Sequence, residues 1–399
     1  MKLNHFISDV KEAVFRLKLA LIASFNRKAG RTSNSLLIAL LLKFLELKFN
    51  KASISIPLEL SQIKKILIFR GDQIGDMIVF TSALSALKSI LPKSSIHIWA
   101  SASNEIILRY NPNVEKIFSV SLTEESINKN IAQCQMESYD LLIDVSFWEH
   151  YLTASIAQKI NPKAITVVLD NKEGKRELYL KKMYHAVLLP KGLNWAEEYH
   201  LAMLELFGVN EPKSVKTSIF ISDIEANAVS KFLNTHKIND SFIILNLSAR
   251  ESCKKWGAKN SIEFLIRYCQ DLLPHSQLPI IITAAPNDSS DVLELQRTIS
   301  NPNIYYYPFT SNFLEIVELI NRSIGCLSPD TAFVHACAAM NTPILVLCTT
   351  KSTTAQWLPL TEKKIVLWAP HNHDTSAIPV ETVYLAFQQL LNQFIIKKV

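Results

Sequence analysis

Two series of short apolar runs, each run followed by a stretch of helical periodicity, constrain this chain more than any other feature. In the first, Lys65–Arg70 (KILIFR) leads through a loop into a helix from about Asp76 to Ile90. Ser95–Trp99, Lys116–Ser119, Leu141–Asp144 and Ala164–Leu169 continue as strands. The second series opens at Phe242–Leu247 (FIILNL) and continues through strands Pro279–Thr283, Ile304–Tyr307, Gly325–Leu327 and Ile344–Cys348. Helices Ser261–Leu273, Ser289–Ile299, Asn312–Asn321 and Thr331–Met340 fall between them. A strand without polar alternation is covered on both faces, and intervening helices supply the cover, so each series predicts a parallel sheet. The rhythm stalls over Asn171–Pro212, and a helix near Val380–Ile396 closes the chain. The predicted class is α/β: two Rossmann-like, doubly wound domains facing a central cleft, behind an N-terminal helical extension. The expected boundaries are 1–60 for the extension, 61–220 and 221–375 for the two domains, and 376–399 for the closing helix.

Composition agrees. With 48% hydrophobic and 20% charged residues in 399, the chain can fill two or three cores and is not disordered. Only eight glycines occur, well below the usual ~7%, which excludes collagen-like chains and Gly-rich linkers. The six cysteines form no Cys-x-x-Cys pair, so they read as free buried thiols of a reducing, cytoplasmic compartment. His371 and His373 stand near Asp374 in a Pro/Asn-rich loop, but two such side chains do not make a site, and no metal is expected.

The net positive charge is confined to one end. Residues 1–51 carry ten Lys/Arg against three acids, while the remainder is close to neutral. A nucleic-acid partner, which needs a basic face on a folded domain, is therefore not expected. The arm reads as two helices: Val10, Val14, Leu17, Leu21 and Phe25 share one face, and a second helix follows Thr32–Ser35. Its seven-residue apolar run from Leu36 is far short of the ~20 needed to span a bilayer, and no signal-peptidase site follows it. Such an arm either lies on an anionic surface, here the inner face of the cytoplasmic membrane, or packs on the body of the protein.

Ligands of open α/β sheets bind beyond the carboxyl ends of the strands. Three such ends are unusual. The first is Arg70-Gly71-Asp72-Gln73-Ile74-Gly75-Asp76, where two glycines let backbone approach a ligand and Asp76 is either a helix cap or a cleft carboxylate. It is neither a dinucleotide fingerprint nor a phosphate loop, since the remaining glycines and the Gly-Lys-Ser/Thr are missing. The second is Asn246–Trp256 (NLSARESCKKW), where Ser248, Arg250, Lys254 and Lys255 either meet a phosphate or are a solvated basic loop. The third is Ser328-Pro329-Asp330-Thr331-Ala332, with His335 following. Asp330 or Thr331 caps a helix there, and its free amides and dipole either bind an anion or are simply capped.

Taken together, Lys65 to about Leu360 resembles glycosyltransferase family 9, the ADP-heptose:lipopolysaccharide heptosyltransferases. The resemblance rests on KILIFRGDQIGDMIVFTSALSALKSILP, on Lys254–Trp256, and on SPDTAFVHACAAMNTPILVL with trailing Trp357 and Pro359. It implies a GT-B fold and inverting transfer of a sugar from a nucleotide-activated donor, ADP-heptose, to a lipid-linked or lipopolysaccharide-core glycan, with no cofactor beyond the donor. Asp76 then corresponds to the general base, with Arg70, Gly71 and Gly75 on the acceptor-side loop. Ser248, Lys254, Asp330, Thr331, Ala332 and His335 correspond to the donor site. The chemistry agrees: displacement at an anomeric carbon needs a base at the attacking hydroxyl and positive charge on the leaving diphosphate. The chain departs from the family pattern at Asn246-Leu247-Ser248, at Ala332 in place of a glycine, at Thr349-Thr350-Lys351, and in its N-terminal arm. The alternatives are a non-catalytic nucleotide-sugar-binding relative, or a GT-B enzyme with another donor or a protein acceptor. An epimerase would need more acid/base groups in the cleft than this sequence places there.

Overall fold

The structure, a computed structural model, describes residues 35–395 except 147–149, 171–174, 211–213, 240, 274–277, 350–354 and 371–372. The first helix expected in the arm and His371 lie outside the described residues.

The first lobe is a six-stranded parallel sheet of β1 (Lys65–Arg70), β2 (Ser95–Ser101), β3 (Lys116–Val120), β4 (Leu141–Asp144), β5 (Ile165–Leu169) and β6 (Ala186–Leu188). Their order across the sheet is β3-β2-β1-β4-β5-β6, with Ile66 of β1 between Ile96 and Leu141. The second lobe repeats the winding with β7 (Ile243–Asn246), β8 (Ile280–Thr283), β9 (Ile304–Tyr306), β10 (Gly325–Pro329), β11 (Ile344–Cys348) and β12 (Lys364–Trp368), ordered β12-β11-β10-β7-β8-β9. In each lobe the first strand is central and the chain reverses direction beside it, between β1 and β4 and between β7 and β10. Those switch points leave crevices at the carboxyl ends of the strands, where open sheets bind ligands. Ile66, Leu67 and Ile68 are fully buried, as they must be when both faces of a parallel sheet are covered.

The helices in chain order are α1 (Ser35–Phe49), α2 (Ile74–Ile90), α3 (Glu124–Gln135), α4 (His150–Ile160), α5 (Lys175–Met183) and α6 (Trp195–Leu206). They continue as α7 (Asp223–His236), α8 (Ala258–Arg267), α9 (Ser289–Thr298), α10 (Phe313–Arg322), α11 (Ala332–Ala339) and α12 (Val380–Leu390). Two contacts position the site. Helix α6 packs along α2, with Phe80 edge-on to Tyr199 at 5.5 Å, and α2 meets α11 of the other lobe. One hydrophobic cluster therefore runs from Ile66 and Phe80 in the first lobe to Ile320 and Val346 in the second.

Three expectations are corrected. The rhythm does not stall over Asn171–Pro212: α5, β6 and α6 occupy it. Strand β12 and helix α7 are also additions to the sequence reading. Both extra strands lie at sheet edges, where one side needs no partner and the apolar run is short or mixed. Helix α2 begins at Ile74 with Gln73 as its cap, which makes Asp76 its third residue.

The described part of the arm packs on the first lobe. Leu45 and Phe49 of α1 are buried against Val168, Tyr179, Leu180 and Met183. Lys48 donates to the Tyr151 hydroxyl, and Lys182 lies 3.7 Å from Glu46. Among the described residues no helix is long and apolar enough to cross a membrane.

A candidate active site between the lobes

The loop after β1 is built around a buried cation. Arg70 is fully buried, 3.0 Å from Asp72 Oδ2, and it donates to the carbonyls of Val145 and, at 3.1 Å, Asp76. Its guanidinium also lies 4.8 Å from the Tyr199 ring centre. Burial works against the charge, but Tyr199, Asp72 and Asp76 outweigh it and raise the Arg70 pKa. A buried arginine satisfied in this way shapes the loop and does not reach a ligand.

Asp76 completes the cap that Gln73 begins and is also a cleft carboxylate. Its Oδ2 accepts from the Gln73 amide at 2.8 Å, closing a capping box, while Oδ1 lies 3.7 Å from Arg70 Nη2. The side chain keeps 18% exposure, on the cleft. Gly75 spends its missing side chain on the other lobe, since a Cβ there would meet His335 Cδ2 at 3.2 Å and Ala332 Cα at 3.5 Å.

The opposite wall comes from the second lobe. At its switch point Asn246 Nδ2 donates to Ser328 Oγ at 2.9 Å, tying β7 to β10. The Ser248 hydroxyl accepts from the Ala285 amide at 2.6 Å. Lys254 Nζ stands 3.2 Å from Asp330 Oδ2. Burial opposes its charge, but Asp330 prevails and the Lys254 pKa is raised. Thr331 caps α11, its hydroxyl accepting from the Phe333 amide at 3.4 Å. His335 is pushed below the ordinary histidine value, chiefly by burial and with help from Lys254, against the pull of Asp330 and Asp76. It stands as a neutral imidazole at pH 7.

These groups share one cavity of about 910 Å3. Gly75 and Asp76 line it from the first lobe, and Ser248, Lys254, Asp330, Thr331, Ala332 and His335 from the second. Arg70 and Gly71 do not line it, and Lys255 turns away to pair with Asp288. The wall also includes side chains that the resemblance did not assign to the site. Arg250 and Trp357 lie on it, as do Ala285 and Pro286 just beyond β8 and Phe313 and Ile316 in the first turn of α10. Arg250 stood out in the sequence as part of a basic loop and Trp357 as part of the resemblance, while the other four had no signal beyond their place after a strand. No group of His, Cys, Asp and Glu among the described residues is arranged to hold a metal ion.

At the carboxyl end of β4, beside the loop after β1, lies a second buried cluster that the sequence did not reveal. His150 Nδ1 is 2.8 Å from Asp144 Oδ2 and its Nε2 is 3.5 Å from Asp170 Oδ2. Tyr184 donates to Asp144 at 2.5 Å. Burial alone would lower the His150 pKa, but the two carboxylates push it up to about 9.

Chemically, the cleft sets a carboxylate on one wall against an ammonium and a helix N-terminus on the other. That arrangement can hold an anionic leaving group while a proton is taken from an attacking hydroxyl.

A family model described as glycosyltransferase family 9 (heptosyltransferase) matches residues 128–382. The chain is 22% identical over 339 residues to lipopolysaccharide heptosyltransferase 3 of Escherichia coli (strain K12), covering 79% of this chain and 95% of that protein. Among solved structures, a glycosyl transferase family 9 protein from Veillonella parvula DSM 2008 superposes with a TM-score of 0.72 at 19% identity, over 85% of this chain and all of that one. E. coli heptosyltransferase WaaC with ADP gives 0.65 at 15% identity, over 82% and 99%.

Proposed function

We propose, from the premise that the chain belongs to glycosyltransferase family 9, that it moves a heptose from ADP-heptose to a hydroxyl of a lipopolysaccharide-core glycan, with inversion. Membership itself makes the chain a heptosyltransferase-family glycosyltransferase with two Rossmann-like domains. The single observation that carries the finer reading is the shared cavity, which puts Asp76 of one lobe opposite Lys254, Asp330 and Thr331 of the other.

In the proposed reaction the acceptor oxygen attacks the anomeric carbon from the Asp76 side. Asp76 takes the hydroxyl proton as the new C–O bond forms. The bond from the anomeric carbon to the diphosphate oxygen breaks, and the electron pair leaves on ADP. Lys254 and the free amides at the start of α11 meet that developing charge, the type of electrostatic assistance that lowers such barriers most. Ala285, Pro286, Phe313 and Ile316 offer an apolar slot for the nucleobase. His335, neutral and packed against Gly75, fits a neutral contact to the donor and not a second cation.

Two similarities support the donor and acceptor: the E. coli relative is a lipopolysaccharide heptosyltransferase, and one structural neighbour holds ADP. We read the arm as a packed element, because Leu45 and Phe49 are spent on the first lobe.

Isothermal titration with ADP, UDP, GDP and adenosine tests this reading without knowledge of the acceptor. ADP is expected to bind more tightly than the other diphosphates and than adenosine. Absence of any nucleotide binding at millimolar concentration sinks it.

A further inference from the structure

We propose that Trp357 is a positioning residue: packed against Trp195 across the lobes with its ring tilted, it steadies the helix start that carries Asp76. Trp357 belongs to the second lobe and lines the cavity. Its ring centre lies 5.6 Å from that of Trp195, with the planes 31° apart. Trp195 is 2% exposed and opens α6 of the first lobe.

The contact is built on both sides. Asn194 caps α6 by accepting from the Ala196 amide at 3.0 Å, and its Nδ2 donates across the lobes to the Leu358 carbonyl at 2.7 Å. The N-terminus of α6 thus grips two consecutive residues of the second lobe, one through a ring and one through a hydrogen bond.

From there the path to the base is short. Trp195 packs on Tyr199 at 5.5 Å, and Tyr199 lies 4.8 Å from the Arg70 guanidinium. Arg70 in turn holds the Asp76 carbonyl at 3.1 Å and stands 3.7 Å from its carboxylate. Each link is a close contact between buried or half-buried groups, so a displaced Trp357 leaves Trp195 without one of its supports, and the packing beyond it loosens. Interiors pack at near-crystalline density, which is why the loss of one ring is felt by its neighbours. The same ring lines the cavity, so the wall that meets the ligand and the base opposite share one support.

The idea that this steadiness matters for transfer rests on the glycosyltransferase reading, but its structural core does not, and the test separates them. Amide hydrogen exchange is measured on the full-length chain without nucleotide, for wild type, Trp357→Ala and Trp357→Phe. Trp357→Ala is expected to speed exchange in the segment 71–80 about three- to tenfold, the scale of one aromatic pair. The segment 280–283 of β8 serves as control and is expected to be unchanged. Trp357→Phe keeps a ring and is expected to restore most of the protection. Asn194→Ser keeps a capping side chain but not the reach to Leu358, and is expected to shift 71–80 in the same direction. With ADP-heptose and acceptor, Trp357→Ala is expected to lower kcat about tenfold, and Trp357→Phe to recover most of that loss. Unchanged exchange at 71–80 in Trp357→Ala overturns the proposal. So does a rise shared equally by 280–283, or a phenylalanine variant no better than alanine.

Discussion

Gly75 and His335 meet where the two lobes touch, and a side chain at position 75 would be crowded there: a Cβ on Gly75 would lie 3.2 Å from His335 Cδ2, so the ring would have to give by a few tenths of an ångström. His335 is 7% exposed, with Ala332 beside it, so it has little room to yield. The helix that carries the carboxylate and the helix that offers its N-terminus to an anion therefore meet at the first turn of each. That meeting sets the width of the site.

Gly75→Ala tests that spacing. An alanine in the first turn of α2 gains roughly 0.5–1 kcal/mol of helix propensity. Overpacking against His335 costs roughly 1–3 kcal/mol. The clash is expected to win: transfer falls about tenfold or more, and ADP binding weakens by up to about 2 kcal/mol. Titration and a rate measurement on the variant decide, and wild-type values for both mean that the lobes have slack.

Asp76→Asn separates charge from cap. The asparagine Oδ1 still accepts from the Gln73 amide, so α2 keeps its start. Transfer is expected to fall by about 10²–10⁴, the usual worth of a general base, with ADP affinity within about threefold. Transfer near the wild-type rate would reduce Asp76 to a helix cap.

Lys254→Ala addresses the anion site. In the structure the ammonium is paired with Asp330 at 3.2 Å, and a bound diphosphate would share it. ADP binding is expected to weaken by about 1.5–3 kcal/mol, the range for a hydrogen bond to a charged group, with adenosine binding almost unaffected. Equal losses for the two ligands mean that the lysine acts through folding. Ala332→Gly, which removes a methyl from the same wall, is expected to leave ADP affinity intact or raised.

His150 predicts a pH dependence of stability. Its pKa is about 9 in the fold against an ordinary 6.5, because Asp144 and Asp170 outweigh the cost of burial. A raised folded value stabilises fully below the unfolded pKa, and that contribution is lost as pH rises through the folded one. Urea unfolding is therefore expected to show falling stability from about pH 7 to 9. His150→Gln is expected to be less stable at pH 6 by about 3–5 kcal/mol, since two buried carboxylates lose their cation, and to lack this slope. Parallel curves for the two proteins would mean that His150 is neutral in the fold.

Deleting residues 1–50 tests the arm. Removal of Leu45 and Phe49 uncovers an apolar face on α5 and β5, at about 1.5–3 kcal/mol per side chain. The melting temperature is expected to drop by several degrees, with sedimentation on anionic vesicles unchanged. A salt-sensitive loss of vesicle binding with no change in the melt would instead assign the arm to a membrane surface.

Much of the fold was legible locally. Lys65–Arg70, Leu141–Asp144 and Ile344–Cys348 occur in the structure with the bounds their apolar runs predicted. The loops after β1, β7 and β10 stood out by glycine, lysine and helix-cap chemistry. What escaped notice had weak local signals. Ala186–Leu188 is three residues long, and every residue of Lys364–Trp368 is only half-buried. The resemblance put Arg70 on the acceptor-side loop, and nothing local showed how deeply it is buried. Its burial comes from Val145, Asp72 and Tyr199, which no spacing rule brings together.

The sequence by itself determined an α/β chain with two strand–helix series and reactive side chains at three strand ends. Those features depend on backbone preference and side-chain period, which act over a few residues. Only the tertiary structure decided that β10 lies beside β7, which puts Lys254 within 3.2 Å of Asp330 although 76 residues separate them. It alone closed the lobes so that Asp76 faces that pair, and it alone enclosed Arg70 and His150 with their carboxylates. Such partners are selected by the burial of whole faces against each other. That free energy belongs to surfaces assembled from distant parts of the chain, and no local stretch encodes it.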